Sequence, residues 1–384
     1  MRIAQERPAH RVRVAGWLKE GADIRKLLWF LGLFSLVLGL ADAQVPKKAS
    51  APAGQPKFKA IWEPANYPKD INLLDVSFVS AEEGWAVGDK NTILHTKDGA
   101  KTWEVQLGGD PESSDRELRE VFFLDAKHGW TRGAAEKLVR TTNGGASWEE
   151  VVGRLSQHEQ ALNFVSPQTG FTAAREIRRT DDGGKTWKPV LRCAVSLQVD
   201  GLARKVDCDF KTLTFPSTTV GYAVGLLPLG PGKRAVLART KDGGATWTLS
   251  APESMEDNGR QGFFWNENSG LVTLHEGKTL MTTDGGESWN GVVTPFGGEH
   301  ALYAMAGGQL GVIILYKQIA YSTNGGRTFS AREFPVPANV TAVTFPDAKH
   351  GYLVGEHGMI YRYHIVPADY SVKGMIPAPM APGN

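Results

Sequence analysis

An eight-residue pattern recurs six times along this chain and dictates most of what the chain can fold into. It reads TKDGAKTW from Thr96, TTNGGASW from Thr141, TDDGGKTW from Thr180, TKDGGATW from Thr240, TTDGGESW from Thr282 and STNGGRTF from Ser322. Each copy places Asp or Asn before Gly-Gly, which supplies the positive-φ positions of a tight hairpin. A Thr or Ser two residues earlier can bond the turn, and the closing aromatic can fold back over it. The box residues are Asp98, Asn143, Asp182, Asp242, Asp284 and Asn324, with Trp103, Trp148, Trp187, Trp247 and Trp289 as lids. Ala100 replaces the second Gly of the first box and Phe329 replaces Trp in the sixth, so these two boxes are expected to be weaker.

A second register raises the count to seven. An aromatic stands six residues before a Gly at Phe78/Gly84, Phe123/Gly129, Phe164/Gly170, Phe215/Gly221, Phe264/Gly270 and Phe345/Gly351, with Met305/Gly311 as the deviant. Each unit alternates short β-branched and aromatic runs with turn residues, as in Leu74–Phe78, Gly84–Val87, Asn91–His95 and Trp103–Val105, so four strands per unit are expected. Phe58 to Ile365 spans 308 residues, about 44 per unit. Four-stranded units at that period are propeller blades. The predicted fold is all-β, a seven-bladed β-propeller over 58–365. The seventh unit, GYLVGEHGMIYRY, lacks a box, while Ala60-Ile61-Trp62-Glu63 resembles a strand that follows one. The N-terminal strand is therefore expected to complete the last blade and close the ring.

Outside the ring the composition changes. Leu27–Leu40 is an uncharged apolar run preceded by Arg25 and Lys26 and followed by Ala41-Asp42-Ala43, the layout of a signal peptide over 1–43. As a helix it would rise about 21 Å, short of a roughly 30 Å hydrocarbon core. An uncleaved anchor is the alternative, and either reading sends the propeller across a membrane. No Cys follows the run, which excludes lipid attachment there. Residues 44–57 read as a Pro/Ala/Lys linker and 366–384 as a disordered Pro-rich tail. Residues 1–26 carry seven Lys/Arg against three acids, so the formal +2 of the chain becomes about −1 from Gln44 onward. That balance argues against nucleic acid as a partner. Cys193 and Cys208 are too few for a stapled miniprotein; across a membrane they can oxidise to a disulfide worth about 3 kcal/mol, or stay as two buried thiols.

The box with the Gly84-Trp85-Ala86-Val87-Gly88 and Gly221-Tyr222-Ala223-Val224-Gly225 strands is similar to the photosystem II stability/assembly factor family, over Phe58 to Tyr363. The box alone is shared with sialidases, xyloglucanases and sorting receptors. The resemblance implies a seven-bladed exported propeller without catalysis or cofactor that helps to assemble a membrane complex, in the periplasm or an equivalent lumen. A monomer that binds a protein partner is expected.

The position before the box Thr or Ser carries His95, Arg140, Arg179, Arg239, Met281, Tyr321 and, in blade seven, Arg362, with Arg178 adjoining. Basic side chains thus recur over five neighbouring blades, and an arginine patch is what the resemblance implies as a binding surface. One reading is a crescent for acidic partner segments; the other is that each Arg pairs with a carboxylate as inter-blade glue. For chemistry, Asp75 and Glu120 stand three residues before the marker aromatic in adjacent blades. Two carboxylates at a channel mouth are the residue types of a glycoside hydrolase, the alternative function. His128 and His350 fall in DAKHGW and DAKHGY, which makes them turn residues rather than metal ligands, and no nucleotide motif is present.

Overall fold

In the computed structural model, residues 57–382 are described except 66, 110–116, 134–137, 152–154, 156–160, 200–201, 228–233, 256–258, 275–277 and 297–300. The signal segment and nearly all of the linker lie outside the described residues.

Among the described residues the chain forms six four-stranded antiparallel sheets, one five-stranded sheet and one two-stranded ribbon. The six are blades 1 to 6, each laid down in chain order from inner to outer strand; blade 1 is Leu73–Phe78, Gly84–Gly88, Ile93–Thr96 and Glu104–Leu107. Blade 7 holds Val340–Thr344, Gly351–Gly355 and Ile360–Pro367 and takes its fourth strand from the start of the chain. Phe58–Pro64 pairs antiparallel with Ile360–Pro367, from Phe58 opposite Pro367 to Pro64 opposite Tyr361. The ring is closed by that pairing, as the missing seventh box implies.

The aromatic–Gly register is the packing between blades. Each marker aromatic stacks on the ring that follows the marker Gly of the preceding blade: Phe78 on Tyr352, Phe123 on Trp85, Phe164 on Trp130, Phe215 on Phe171 and Phe264 on Tyr222, with centroids 3.4–4.7 Å apart. The box Trp of the same blade meets that aromatic edge-on, as Trp187 meets Phe164 at 6.2 Å. Gly is required opposite the aromatic because a Cβ on Gly84, Gly129, Gly170, Gly221, Gly270 or Gly351 would lie 2.4–2.5 Å from ring carbons. Blade 6 has Met305 instead, and Phe345 of blade 7 meets Trp62 at 5.8 Å.

Two segments depart from the sequence reading. The tail, 366–384, is not disordered throughout: Ile376–Ala378 adds a fifth strand to blade 7, with Ala60 opposite Ala378 and Trp62 opposite Ile376. Ile376 and Ala381 are buried in the blade 7 core, and Tyr363 donates its hydroxyl to the Pro379 carbonyl at 2.9 Å. Proline is compatible with a strand at a sheet edge, where its missing N–H faces solvent. Between blades 3 and 4 the chain makes a ribbon, Ala194–Val199/Leu202–Asp207, that the sequence reading did not include, and at its base Cys193 and Cys208 form the disulfide that reading allowed.

Candidate functional site

Each blade is antiparallel, so the turn between its first two strands and the box turn between its last two lie at one end. They are tied there: the first box Gly donates its N–H to the neighbouring turn, Gly99 to Glu82 O at 2.9 Å, Gly183 to Gln168 O at 2.8 Å and Gly285 to Asn268 O at 2.8 Å. Within the box, Thr240 Oγ1 donates to Asp242 Oδ1 at 2.8 Å and accepts from Gly244 N at 2.9 Å. Asp242 also accepts from the Thr246 amide at 2.9 Å and hydroxyl at 2.5 Å. In the Asn boxes the amide donates in that last place, Asn143 Nδ2 to Ser147 Oγ and Asn324 Nδ2 to Thr328 Oγ1, both at 2.9 Å. The Thr246 and Thr240 bonds hold Asp242 down to about 2, and the Ser288 and Thr282 bonds do the same for Asp284. The box side chains are thus consumed by their own turns.

The third strand of each blade ends at the box, which brings Arg140, Arg179 and Arg239 to the box end. Arg140 Nε donates to Glu149 Oε1 at 2.5 Å, and its Nη1 reaches the carbonyls of Asp182 and Gly183 in the next blade's box at 3.4 and 3.5 Å. Arg239 spans the interface between blades 4 and 5, with Nη1 2.8 Å from Glu287 Oε1 and its guanidinium 5.8 Å from the Tyr222 ring centre. Arg179 pairs with Asp181 at 2.8 Å and lies 5.8 Å from the centre of Phe171. Arg178, one residue earlier and so on the opposite face of its strand, bonds Glu176 at 2.6 Å. Arg362 belongs to the closing seam, where it meets Glu63 beside His364 and Tyr370. His95 does not reach the surface: it is 4% exposed, stacks on Trp85 at 4.5 Å and lies 3.1 Å from both Glu83 and Gln106. Burial lowers its pKa, opposed by Glu83.

Every arginine of the crescent therefore has a carboxylate partner, and at the box end the two differ in exposure. The Arg140, Arg179 and Arg239 side chains are 15–27% exposed, whereas Glu149, Asp181 and Glu287 are 60–71% exposed. The acids are the outer members of the pairs. Sequence reasoning allowed for such carboxylate partners without naming them, and Glu287, 48 residues from Arg239, carries no local signal.

The inner-strand carboxylates do a different job. Asp75 Oδ2 accepts the Val121 amide of blade 2 at 2.8 Å, and Oδ1 accepts its own Val76 amide at 2.9 Å. Glu120 repeats this one blade on, with Oε1 accepting the Leu162 amide at 3.1 Å and Oε2 accepting Arg132 Nε at 2.9 Å. Thr212, at the matching position of blade 4, accepts the Gly262 amide at 3.0 Å. Among the described residues the inner strands have no strand partner toward the next blade, and these side chains satisfy their amides across the gap. Burial, with Glu120 nearby, pushes Asp75 up to about 7 despite the Val121 amide. A pKa raised from about 3.9 in the unfolded chain gives stability that is complete below about pH 4 and lost as pH rises through 7. The urea midpoint is expected to fall between pH 5.5 and 8.5 in the wild type and to stay nearly level in Asp75→Asn; parallel curves would assign the titration to another group.

Residues 55–213 match the sequence profile of the photosynthesis system II assembly factor YCF48 family. The photosystem II assembly lipoprotein Ycf48 of Picosynechococcus sp. is 29% identical over 343 residues, spanning 85% of this chain and 92% of that protein. The chain is similar to the photosystem II stability/assembly factors. The chloroplastic member of that group in Arabidopsis thaliana, HCF136, is 25% identical over 333 residues, 79% of each chain. Among solved structures, YCF48 bound to a D1 peptide superposes with a TM-score of 0.59 at 22% identity, covering 81% of this chain and 98% of that one. A xyloglucanase of Xanthomonas campestris superposes at 0.55 with 13% identity, over 78% of this chain and 53% of that one. The fold is thus common to assembly factors and hydrolases, and function rests on the site.

Proposed function

We propose that this chain is an exported, non-catalytic assembly factor that binds a subunit or precursor of a photosynthetic membrane complex through the arginine-bearing box end. The observation that carries the proposal is the length of the resemblance: relatives named as photosystem II assembly factors align over most of the propeller. One solved relative holds a D1 peptide. The partner class proposed here is accordingly an extended segment of a photosystem subunit, or of its counterpart in another membrane complex, carrying carboxylates. The apolar run Leu27–Leu40, read as an export segment, supports an encounter in the periplasm or a thylakoid lumen. The exposed acids support the same reading. A surface ion pair is worth only about 0–1 kcal/mol, so a partner carboxylate can replace Glu149, Asp181 or Glu287 on a guanidinium already held in position. A guanidinium has five donors in a planar fork, which suits such an exchange.

The test is capture of clients from detergent-solubilised membranes of the source cell by tagged protein. Arg140→Glu with Arg179→Glu and Arg239→Glu is expected to lose a membrane-protein client at least tenfold, and salt should weaken wild-type capture. Because Arg140 and Arg239 also brace neighbouring blades, Glu149→Gln with Glu287→Gln supplies the control. It frees the arginines without removing them and should raise capture. Equal capture by all three proteins would make the crescent inter-blade glue.

A further inference from the structure

In blade 7 the strand Ile376–Ala378 lies on the outside of Phe58–Pro64, while among the described residues blades 1 to 6 end at their fourth strands. An outer edge presents unpaired N–H and C=O groups, a template on which an extended segment can add. This chain uses such an edge on itself, with a short apolar strand that includes Pro377.

Beside Ala331–Glu333, the later part of the outer strand Ser330–Glu333 of blade 6, lies an open groove of about 650 Å3. Pro295, Phe296 and Pro335 form its apolar part, with the buried Phe334 at its base, and Lys317 and Arg332 outnumber Glu333 among its charges. Both cations are held in place. Lys317 Nζ donates to the Pro337 carbonyl at 3.1 Å, and Arg332 stands 5.9 Å from the Tyr321 ring centre. The apolar surface continues past the lining: Tyr316 in the adjoining turn is 57% exposed, and Val293, two residues before Pro295, is 87% exposed. Tyr316 adopts φ 54°, a left-handed conformation that a bulky side chain seldom takes. The Tyr316–Lys317 turn joins the second and third strands, so the groove lies at the end away from the boxes.

We infer that the outer edge of blade 6 is a strand-addition site for an extended, acidic segment of a protein partner. One apolar side chain of that segment seats against Phe296 and Pro335, and a neighbouring carboxylate meets Lys317 and Arg332. Main-chain pairing on Ser330–Glu333 gives affinity, while the groove and its two cations select the side chains. The occupant resembles Ile376–Ala378 in being short, extended and apolar on one face, and differs in charge because the groove is net positive. The site goes beyond the arginine end and is independent of it.

The probe is a fluorescein-labelled octapeptide of alternating valine and glutamate, titrated by polarisation into the mature protein, with hydrogen exchange read by mass spectrometry. Saturable binding with a Kd on the order of 10–100 μM is expected, weakened by salt. Exchange of the Ser330–Glu333 amides should slow. Lys317→Glu with Arg332→Glu, confirmed as folded by its melting curve, should lose at least tenfold in affinity, whereas the triple arginine variant should bind as the wild type does. A valine–lysine octapeptide should not bind. Absence of saturation below about 1 mM, protection elsewhere than Ser330–Glu333, or unchanged affinity in the charge-reversed variant would each overturn the inference.

Discussion

Replacing Trp62 with alanine is expected to cost about 3–5 kcal/mol and to lower the melting temperature by roughly 4–8 °C. Trp62 is wholly buried, in the one strand that must return from the start of the chain to meet the end. Its indole N–H donates to the Tyr321 hydroxyl of blade 6 at 2.9 Å. The ring meets Phe334, Phe345 and Tyr363 edge-on or near it at 6.1, 5.8 and 5.5 Å. One side chain thus ties the closing strand to blades 6 and 7 together. Deleting 57–64 should do more than remove that volume. It strips the partner from Ile360–Pro367, deprives Ile376–Ala378 of the strand it pairs with, and leaves Arg362 and His364 without Glu63. Thermal unfolding and gel filtration read the outcome, expected to be a broad early transition and aggregation through the exposed edge. A monomeric deletion variant with an unchanged transition would show that the ring does not depend on this closure.

What could be read from the sequence follows from where each signal resides. The boxes and the aromatic–Gly register repeat, so seven blades and the missing seventh box were visible as pattern; the box is a local hydrogen-bonded device that needs no tertiary information. The fifth strand of blade 7 was not visible, because the proline content of the tail argues for a tether unless the edge that receives Ile376 is known. The ribbon between blades 3 and 4 left only a length signal: 28 residues separate Trp187 from Phe215, against 16 from Trp148 to Phe164. At the box end the sequence placed Arg140, Arg179 and Arg239 together but could not supply their partners. Glu149 is nine residues from Arg140 on the next strand, and Glu287 belongs to another blade altogether. Asp75 and Glu120 carried the appearance of a catalytic pair because two carboxylates near a channel are chemically suggestive. Their bonds to Val121 and Leu162 depend on how blades abut, which no local pattern encodes.

The inter-blade register makes a sharper quantitative prediction at Phe164 and Gly170. Phe164 is buried, stacks on Trp130 of the preceding blade at 3.7 Å and meets Trp187 of its own box at 6.2 Å. Phe164→Ala is expected to cost about 3–5 kcal/mol, since the cavity opens between two indoles that cannot collapse onto each other without moving a blade. Gly170→Ala is expected to cost about 1–3 kcal/mol through overpacking, because the new Cβ would stand 2.5 Å from Phe164 ring carbons. The two costs share one physical origin, the ring lying on the bare backbone of Gly170, so they should not add. In the double variant the methyl group occupies space the ring has left, and the cost should fall short of the sum by about 1–2 kcal/mol. Urea unfolding of the four proteins in the cycle measures that difference. Strict additivity would mean that the glycine is there for the backbone alone, and that the six-residue spacing has a cause other than the contact between ring and strand.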